Sequence, residues 1–427
     1  MSQPVDRRGF LGTSIVAGSL VAAGSLAYAQ KESANERIRI GVMGVNGRGS
    51  ALARGFASQP NCEIAYICDV DNRAIGKAVN LLKGRPAPKT TADFRNILDD
   101  KEVDVLICAA PNNWHAPATI MACKAGKHVY VEKPCSHTAE EGELALQAAR
   151  KYNRVVTMGT QRRSWPAIRE GIQKIHEGEL GKVRYARTWY NNRRGSIGTG
   201  KQSAAPDWLD FNLWQGPATD QPFKDNIVHY NWHWHWHWGN GELGNNGIHA
   251  LDVARWGLQV EFPKRVVSAG GRYRYDDDQE TPDTQNVAFE FDDCQISWEG
   301  LSCSPLGFEN SMFGISFHGD EGSLVIDGGG WRTYDMRNKE TGKNSGGGGD
   351  ATHQANFLDC IRNGGTPNAD IQEAHRSTLL CHLGNISQRS GRALTTDPKN
   401  GHILGDEKAA GMWGREYRKE YEHLREA

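Results

Sequence analysis

Ile40-Gly41-Val42-Met43-Gly44-Val45-Asn46-Gly47-Arg48-Gly49 runs an apolar strand straight into a glycine loop, and a helical pattern follows from Ser50. In that setting glycines let the backbone turn sharply and approach a pyrophosphate. The helix N-terminus meets the pyrophosphate charge with free N–H groups and a positive dipole. Against G-x-G-x-x-G the loop reads Gly44-x-Asn46-x-x-Gly49, with Asn at the middle position and Gly47 beside it. Asn tolerates left-handed backbone angles better than most residues. Gly44, Asn46, Gly47, Arg48 and Gly49 are therefore candidate dinucleotide contacts.

Outward from the loop, short apolar runs (Ile38–Met43, Glu63–Cys68, Val103–Ala109, His128–Glu132) alternate with helical patterns such as Ser50–Gln59, Arg73–Lys83 and Ala116–Ala125. Strands and helices alternating at this length predict a parallel sheet covered on both faces. The second strand ends in Asp69 at the spacing of about 20 residues where an acid binds the ribose hydroxyls and repels a 2′-phosphate. NAD is thus preferred to NADP, although Arg73 offers a charge that tolerates the phosphate. Ala110-Pro111-Asn112-Asn113-Trp114-His115 follows a strand end, where ligand crevices form, so Pro111, Asn112 and His115 join the list. The next strand ends in Glu132-Lys133-Pro134. The residue before Pro is held extended, which aims the Lys133 ammonium into the crevice; pairing with Glu132 or with cofactor phosphate is the plainer alternative.

These four features together resemble the Gfo/Idh/MocA oxidoreductases, the family of glucose–fructose oxidoreductase and inositol dehydrogenase. The resemblance runs from about residue 36 to the C-terminus and is carried most specifically by Glu132-Lys133-Pro134. It implies an N-terminal Rossmann domain (36–160) and a C-terminal α+β domain (161–427) whose open sheet is packed by helices on one face. Period-two runs beyond residue 160, among them Val183–Trp189, Val266–Tyr273, Asn286–Phe291, Gln295–Trp298, Phe313–His318 and Ser323–Asp327, agree with a mainly antiparallel sheet.

The second domain holds the remaining candidates. Asn231-Trp232-His233-Trp234-His235-Trp236-His237-Trp238, if extended, puts three histidines on one face and four tryptophans on the other. Packing and pocket wall is the first reading, with Trp232, His233 and His235 as substrate contacts; a sugar platform comes second and a metal site a distant third. In Gly241-Glu242-Leu243-Gly244-Asn245-Asn246-Gly247-Ile248-His249-Ala250-Leu251-Asp252, a helix is expected from Gly247, placing His249 in its first turn with Asp252 to orient the ring. The resemblance makes His249 the partner of Lys133 in catalysis. Where the family commonly has Asp four residues before this His, the chain has Asn245, which removes a carboxylate from the proton relay. Arg162 and Arg163 lie at the domain junction, suited either to a substrate hydroxyl or acid, or to an interdomain ion pair. Helices are expected over 352–362 and 370–388, and the charged tail after Asp406 is expected to clasp a neighbouring subunit of a homo-oligomer.

The first residues add a location. Asp6-Arg7-Arg8-Gly9-Phe10-Leu11, an uncharged run from Gly12, and Ala27-Tyr28-Ala29 form a twin-arginine (Tat) leader over 1–29. Export by the Tat machinery to the periplasm or beyond, already folded around cofactor, is the expectation, with no stable membrane anchor. The nine cysteines show no C-x-x-C pair and an odd total, which argues against a disulfide framework. A formal net charge of −1 without long like-charge runs gives no sign of a nucleic-acid partner, and none is expected. Free NAD is scarce outside the cytoplasm, so cofactor held by an exported enzyme is regenerated in place. Two cycles answer to that: an NAD-dependent oxidoreductase on a sugar, sugar acid or cyclitol, or a glycoside hydrolase working through a transient 3-keto sugar. A sugar-binding protein without turnover is the third reading.

Overall fold

The structure, a computed structural model, describes residues 37–426, so the leader expected over 1–29 lies outside the described residues. Six strands, β1 (Ile38–Met43), β2 (Cys62–Cys68), β3 (Lys89–Thr91), β4 (Val105–Cys108), β5 (His128–Val131) and β6 (Val156–Met158), form the first sheet. All pair in parallel, in the order β3-β2-β1-β4-β5-β6. The crossovers are α1 (Arg48–Phe56), α2 (Asn72–Leu81), α3 (Arg95–Asp99), α4 (Asn112–Lys124) and α5 (Ala139–Lys151). Ile40, Val42, Ile67, Val105, Ile107 and Val129 are fully enclosed, as continuous apolar strands require when helices cover both faces. The order reverses between β1 and β4, and the crevice at their carboxyl ends is where doubly wound sheets bind ligands.

After α6 (Pro166–His176), β7 (Val183–Asn191) begins a second sheet. A long connection carrying α7 (Phe211–Gln215) then leads to α8 (Ile248–Leu258). The later strands are β8 (Arg265–Gly271), β9 (Thr284–Glu290), β10 (Gln295–Leu301), β11 (Phe313–Gly319), β12 (Gly322–Asp327), β13 (Gly330–Asp335) and β14 (Glu340–Asn344). Helices α9 (Ala351–Asn363) and α10 (Ile371–Ser390) precede β15 (Leu394–Thr396), β16 (Ile403–Leu404) and α11 (Glu407–Ala410). The ten strands pair antiparallel except β7 with β10. Ile296 and Trp298 of β10 are buried while Gln295, Ser297 and Glu299 stay partly open, the alternation of a sheet covered by helices on one side. Sheet and helices thus match the expected Rossmann plus open-sheet architecture.

Two segments depart from expectation. Helix α9 lies between β14 and β15 of the second sheet in the chain but packs on the first, with Phe357 edge-on to Phe56 and Tyr130. The tail after Asp406 folds onto its own chain: Arg415 and Tyr417 both donate to the enclosed Glu141, and Tyr421 sits edge-on to Trp114. The Trp–His run is not extended; Asn231–Trp234 is a 3-10 turn. Without a partner strand its indoles collapse inward instead, and Trp232 and Trp238 join Phe211, Trp214, Phe223 and Ile227 in a small separate core. This core lies over the nucleotide crevice: Trp208 and Asp210 bond backbone to backbone with Asn72 and Val70, and His229 reaches Asp71 at 2.8 Å.

Candidate active site

The glycine loop is shaped by contacts a side chain would break. Gly44 has φ +83°, and a Cβ there would meet the backbone of Ala109 and Ala110 at 2.6–2.7 Å; at Gly49 it would lie 2.0 Å from the Gly44 carbonyl oxygen. Gly47 faces open space and caps α1 with no side chain on the first-turn amides. An uncapped helix start of this kind offers N–H donors and positive dipole to a diphosphate. Asp69 Oδ2 accepts from Val45 N at 2.6 Å and Oδ1 from Asp71 N at 2.9 Å, which leaves each oxygen a lone pair for a ribose hydroxyl. Burial raises the Asp69 pKa, and the two amides oppose it. Arg73, the possible phosphate partner, is tied to Asp71 and stacked 3.3 Å over Trp208. The residues present fit a dinucleotide without a 2′-phosphate.

The loop opens into a cavity of about 690 Å³ that continues to Lys133 and His249. Gly44, Asn46, Gly47, Arg48, Asp69, Pro111, Asn112, His115 and Glu132 line it with Arg162, Trp232, His233 and Asn245. Gly49 acts behind the loop rather than in the cavity. Both His115 ring nitrogens face backbone carbonyls, of Pro134 and Ala110, so this ring ties the Lys133 strand end to the neighbouring loop. Arg48 donates to Glu132 at 2.6 Å and to both Asp350 oxygens at 2.6 and 2.8 Å, joining the glycine-rich segment before α9 to the nucleotide loop.

Lys133 Nζ donates to the Asn245 backbone oxygen at 2.8 Å and to its Oδ1 at 3.0 Å. Burial lowers its pKa, with Glu132 and Glu242 pulling the other way. Glu242, buried and paired with Arg194, also accepts from Asn245 Nδ2 at 3.4 Å. The carboxylate missing at position 245 is therefore supplied one helical step earlier, through the amide. His249 is the second residue of α8, in its first turn as expected, but a π-turn at Leu243–Gly247 runs directly into that helix. Its pKa is held well below the usual imidazole range by burial first, then by the charges of Lys133, Arg162 and Arg48. Nδ1 of His249 is buried with no hydrogen-bond partner.

Asp252 does not orient that ring. It takes the Arg163 Nε at 2.8 Å and the Ser377 hydroxyl at 2.7 Å, and neither Asp252 nor Arg163 lines the cavity. Arg163 Nε reaches both carboxylate oxygens, so Asp252 and Arg163 form a buried ion pair rather than a ring-orienting group and a substrate contact. His235 is likewise outside the cavity, 3.5 Å from Glu280, and His237 faces the Thr219 carbonyl. His233 alone of the three lines the cavity, stacked on Trp232 with centroids 3.6 Å apart. Among the described residues no three His, Cys, Asp or Glu side chains gather to hold a metal. Glu242, Asp350, Trp165, Trp214 and Tyr230 complete the surroundings and were missed in sequence. Only Glu242 carried a signal there, as an acid in the segment leading to His249.

Two family models match the chain. One, described as the NAD-binding Rossmann fold of an oxidoreductase family, covers residues 38–160; the other, the C-terminal alpha/beta domain of the same family, covers 172–396. A glycosyl hydrolase family 109 protein of Saccharopolyspora erythraea is 31% identical over 206 residues, 43% of this chain and 45% of that protein. A levoglucosan dehydrogenase of Pseudarthrobacter phenanthrenivorans is 27% identical over 252 residues, 55% of this chain and 57% of its own. The chain thus spans about half the length of the curated relatives it matches. A solved levoglucosan dehydrogenase in complex with NADH and levoglucosan shares the fold with a TM-score of 0.67 at 19% identity, over 84% of this chain and 99% of that one.

Proposed function

The chain belongs to the Gfo/Idh/MocA oxidoreductase family, and we propose that it oxidises a sugar, sugar acid or cyclitol with an NAD that stays bound. The observation that carries this reading is the single cavity in which the nucleotide loop, Lys133 and His249 meet under the Trp-rich cover. Bound NAD supplies the hydride acceptor. The loop amides and Asp69 hold the diphosphate and ribose ends, and Trp214, Tyr230 and Trp232 exclude water above them. His249, neutral and inside the cavity, takes the proton of the substrate hydroxyl; the Lys133 ammonium, fixed by Asn245, steadies the developing alkoxide. The two groups can exchange these roles.

Retention follows from the cover and from the Arg48–Asp350 link across the loop. It suits the Tat leader expected over residues 1–29. The test uses purified protein with no added cofactor, assayed for bound NAD by absorbance and mass. Reduction of that NAD by a free sugar, reversed by a second carbonyl compound, is the expected result. Cofactor lost on gel filtration and needed in every assay would end the retained-cofactor reading.

The family 109 relative and the substitution of an amide at Asn245 favour a second reading, a glycosidase that oxidises transiently, eliminates the aglycone, adds water and returns the hydride. Release of aglycone from aryl glycosides with no net NADH distinguishes it.

The pKa directions set a pH profile for single-turnover reduction of the bound cofactor. A His whose pKa is depressed stays neutral as pH falls, so no acid limb is expected near pH 6.5. Lys133, also depressed, loses its proton earlier than a free lysine, so the alkaline limb falls below about pH 10.4. An acid limb at about 6.5 would show that His249 titrates as an exposed imidazole.

A further inference from the structure

Arg162 sits on the turn Gln161–Ser164 after β6 and lines the same cavity as His249. Its guanidinium lies 4.0 Å from the ring centroid of Phe313 on β11 and 4.9 Å from that of Trp165. Its neighbours of the same type are neutralised: Arg48 by Glu132 and Asp350, Arg163 by Asp252, Arg194 by Glu242, Arg255 by Glu373. Among the described residues Arg162 has no carboxylate partner and donates no side-chain hydrogen bond, and its Nε is buried without an acceptor.

A half-enclosed cation without a counter-charge is unfavourable, and stacking on two rings offsets only part of that cost. Burial accordingly pulls its pKa down to about 10, and no acid opposes the shift. The group is still charged at neutral pH. The nucleotide loop already carries its own cation, Arg48, paired with Glu132 and Asp350, whereas Arg162 packs against Phe313 of the second sheet; its charge is therefore assigned to the substrate. A hydroxyl would leave the charge uncompensated, whereas the planar fork matches a carboxylate in two parallel bonds.

We propose that the substrate bears a carboxylate and that Arg162 receives it, which rests on the oxidoreductase reading and narrows its substrate class to acidic sugars.

The experiment takes the purified protein with its bound cofactor and titrates D-glucuronate and D-galacturonate beside D-glucose and D-galactose by calorimetry. Reduction of the bound NAD is followed in parallel. At least one uronate is expected to bind about 10- to 100-fold tighter than its neutral counterpart, the range of one charge-assisted pair. Arg162→Met, which keeps the stacking volume, loses that preference and raises KM for the acid more than it lowers kcat; Arg162→Lys retains part of it. Equal binding of acid and neutral sugars by the wild type, or an undiminished preference in Arg162→Met, overturns the assignment. Acid-selective binding lost in Arg162→Met but without any cofactor reduction keeps the assignment and removes the oxidoreductase reading. Reduction by neutral sugars with no acid preference does the reverse.

Discussion

Replacing Lys133 or His249 with Ala is expected to slow turnover by about 10²–10⁴-fold, the range for a positioned acid or base, while the purified protein keeps its cofactor. The two effects will not add, because both groups serve one proton inventory at one carbon. Retention is expected because neither side chain is part of what holds the nucleotide ends. Those are the loop around Gly44, the uncapped start of α1 and Asp69. Lys133→Ala also strips Asn245 of the ammonium that its carbonyl and amide oxygens share. The decisive measurement is single-turnover reduction of bound NAD, with cofactor content read by mass. Wild-type rates in either variant would remove that residue from the chemistry.

Arg163→Ala is expected to destabilise the fold by about 3–5 kcal/mol, because it strands Asp252 as a buried unpaired carboxylate. Both side chains are almost wholly enclosed, at 6% and 1% exposure, so water cannot take over the lost partner. Arg163 also approaches Glu373 at 3.6 Å, and so links the turn after β6 to α8 and α10. Thermal or denaturant melts of the cofactor-bound protein read the loss directly. KM for substrate, measured well below the melt, should hardly move. A normal melt with a raised KM would return Arg163 to the substrate site. The contrast with its neighbour Arg162 is sharp: two consecutive arginines, one neutralised from within, the other open to the cavity.

The residues that could be read without coordinates are those whose local backbone chemistry is the message. Gly44 and Gly49 must be glycine because the chain approaches itself there, and strand, loop and helix are contiguous in sequence. Asp69 and Lys133 end parallel strands, and such ends share one crevice whatever the side chains elsewhere. The Trp–His run misled because alternation predicts a strand only where a partner strand exists; here indole burial chose a 3-10 turn. The segment leading to His249 was hidden for a related reason. Leu243–Gly247 looks like a loop by composition, yet it forms a π-turn flanked by the Glu242–Arg194 and Asn245–Lys133 bonds.

By itself, then, the sequence determined the doubly wound nucleotide domain, the preference for NAD and the mainly antiparallel second sheet, all of which rest on contiguous patterns. Tertiary structure alone decided which of Arg162 and Arg163 is free, what replaces the carboxylate at Asn245, and which of the histidines at 233, 235 and 237 reaches the cavity. Each of these depends on which distant charge arrives first. Asp252, Glu242 and Glu280 are fixed by folds of the chain that no local spacing encodes.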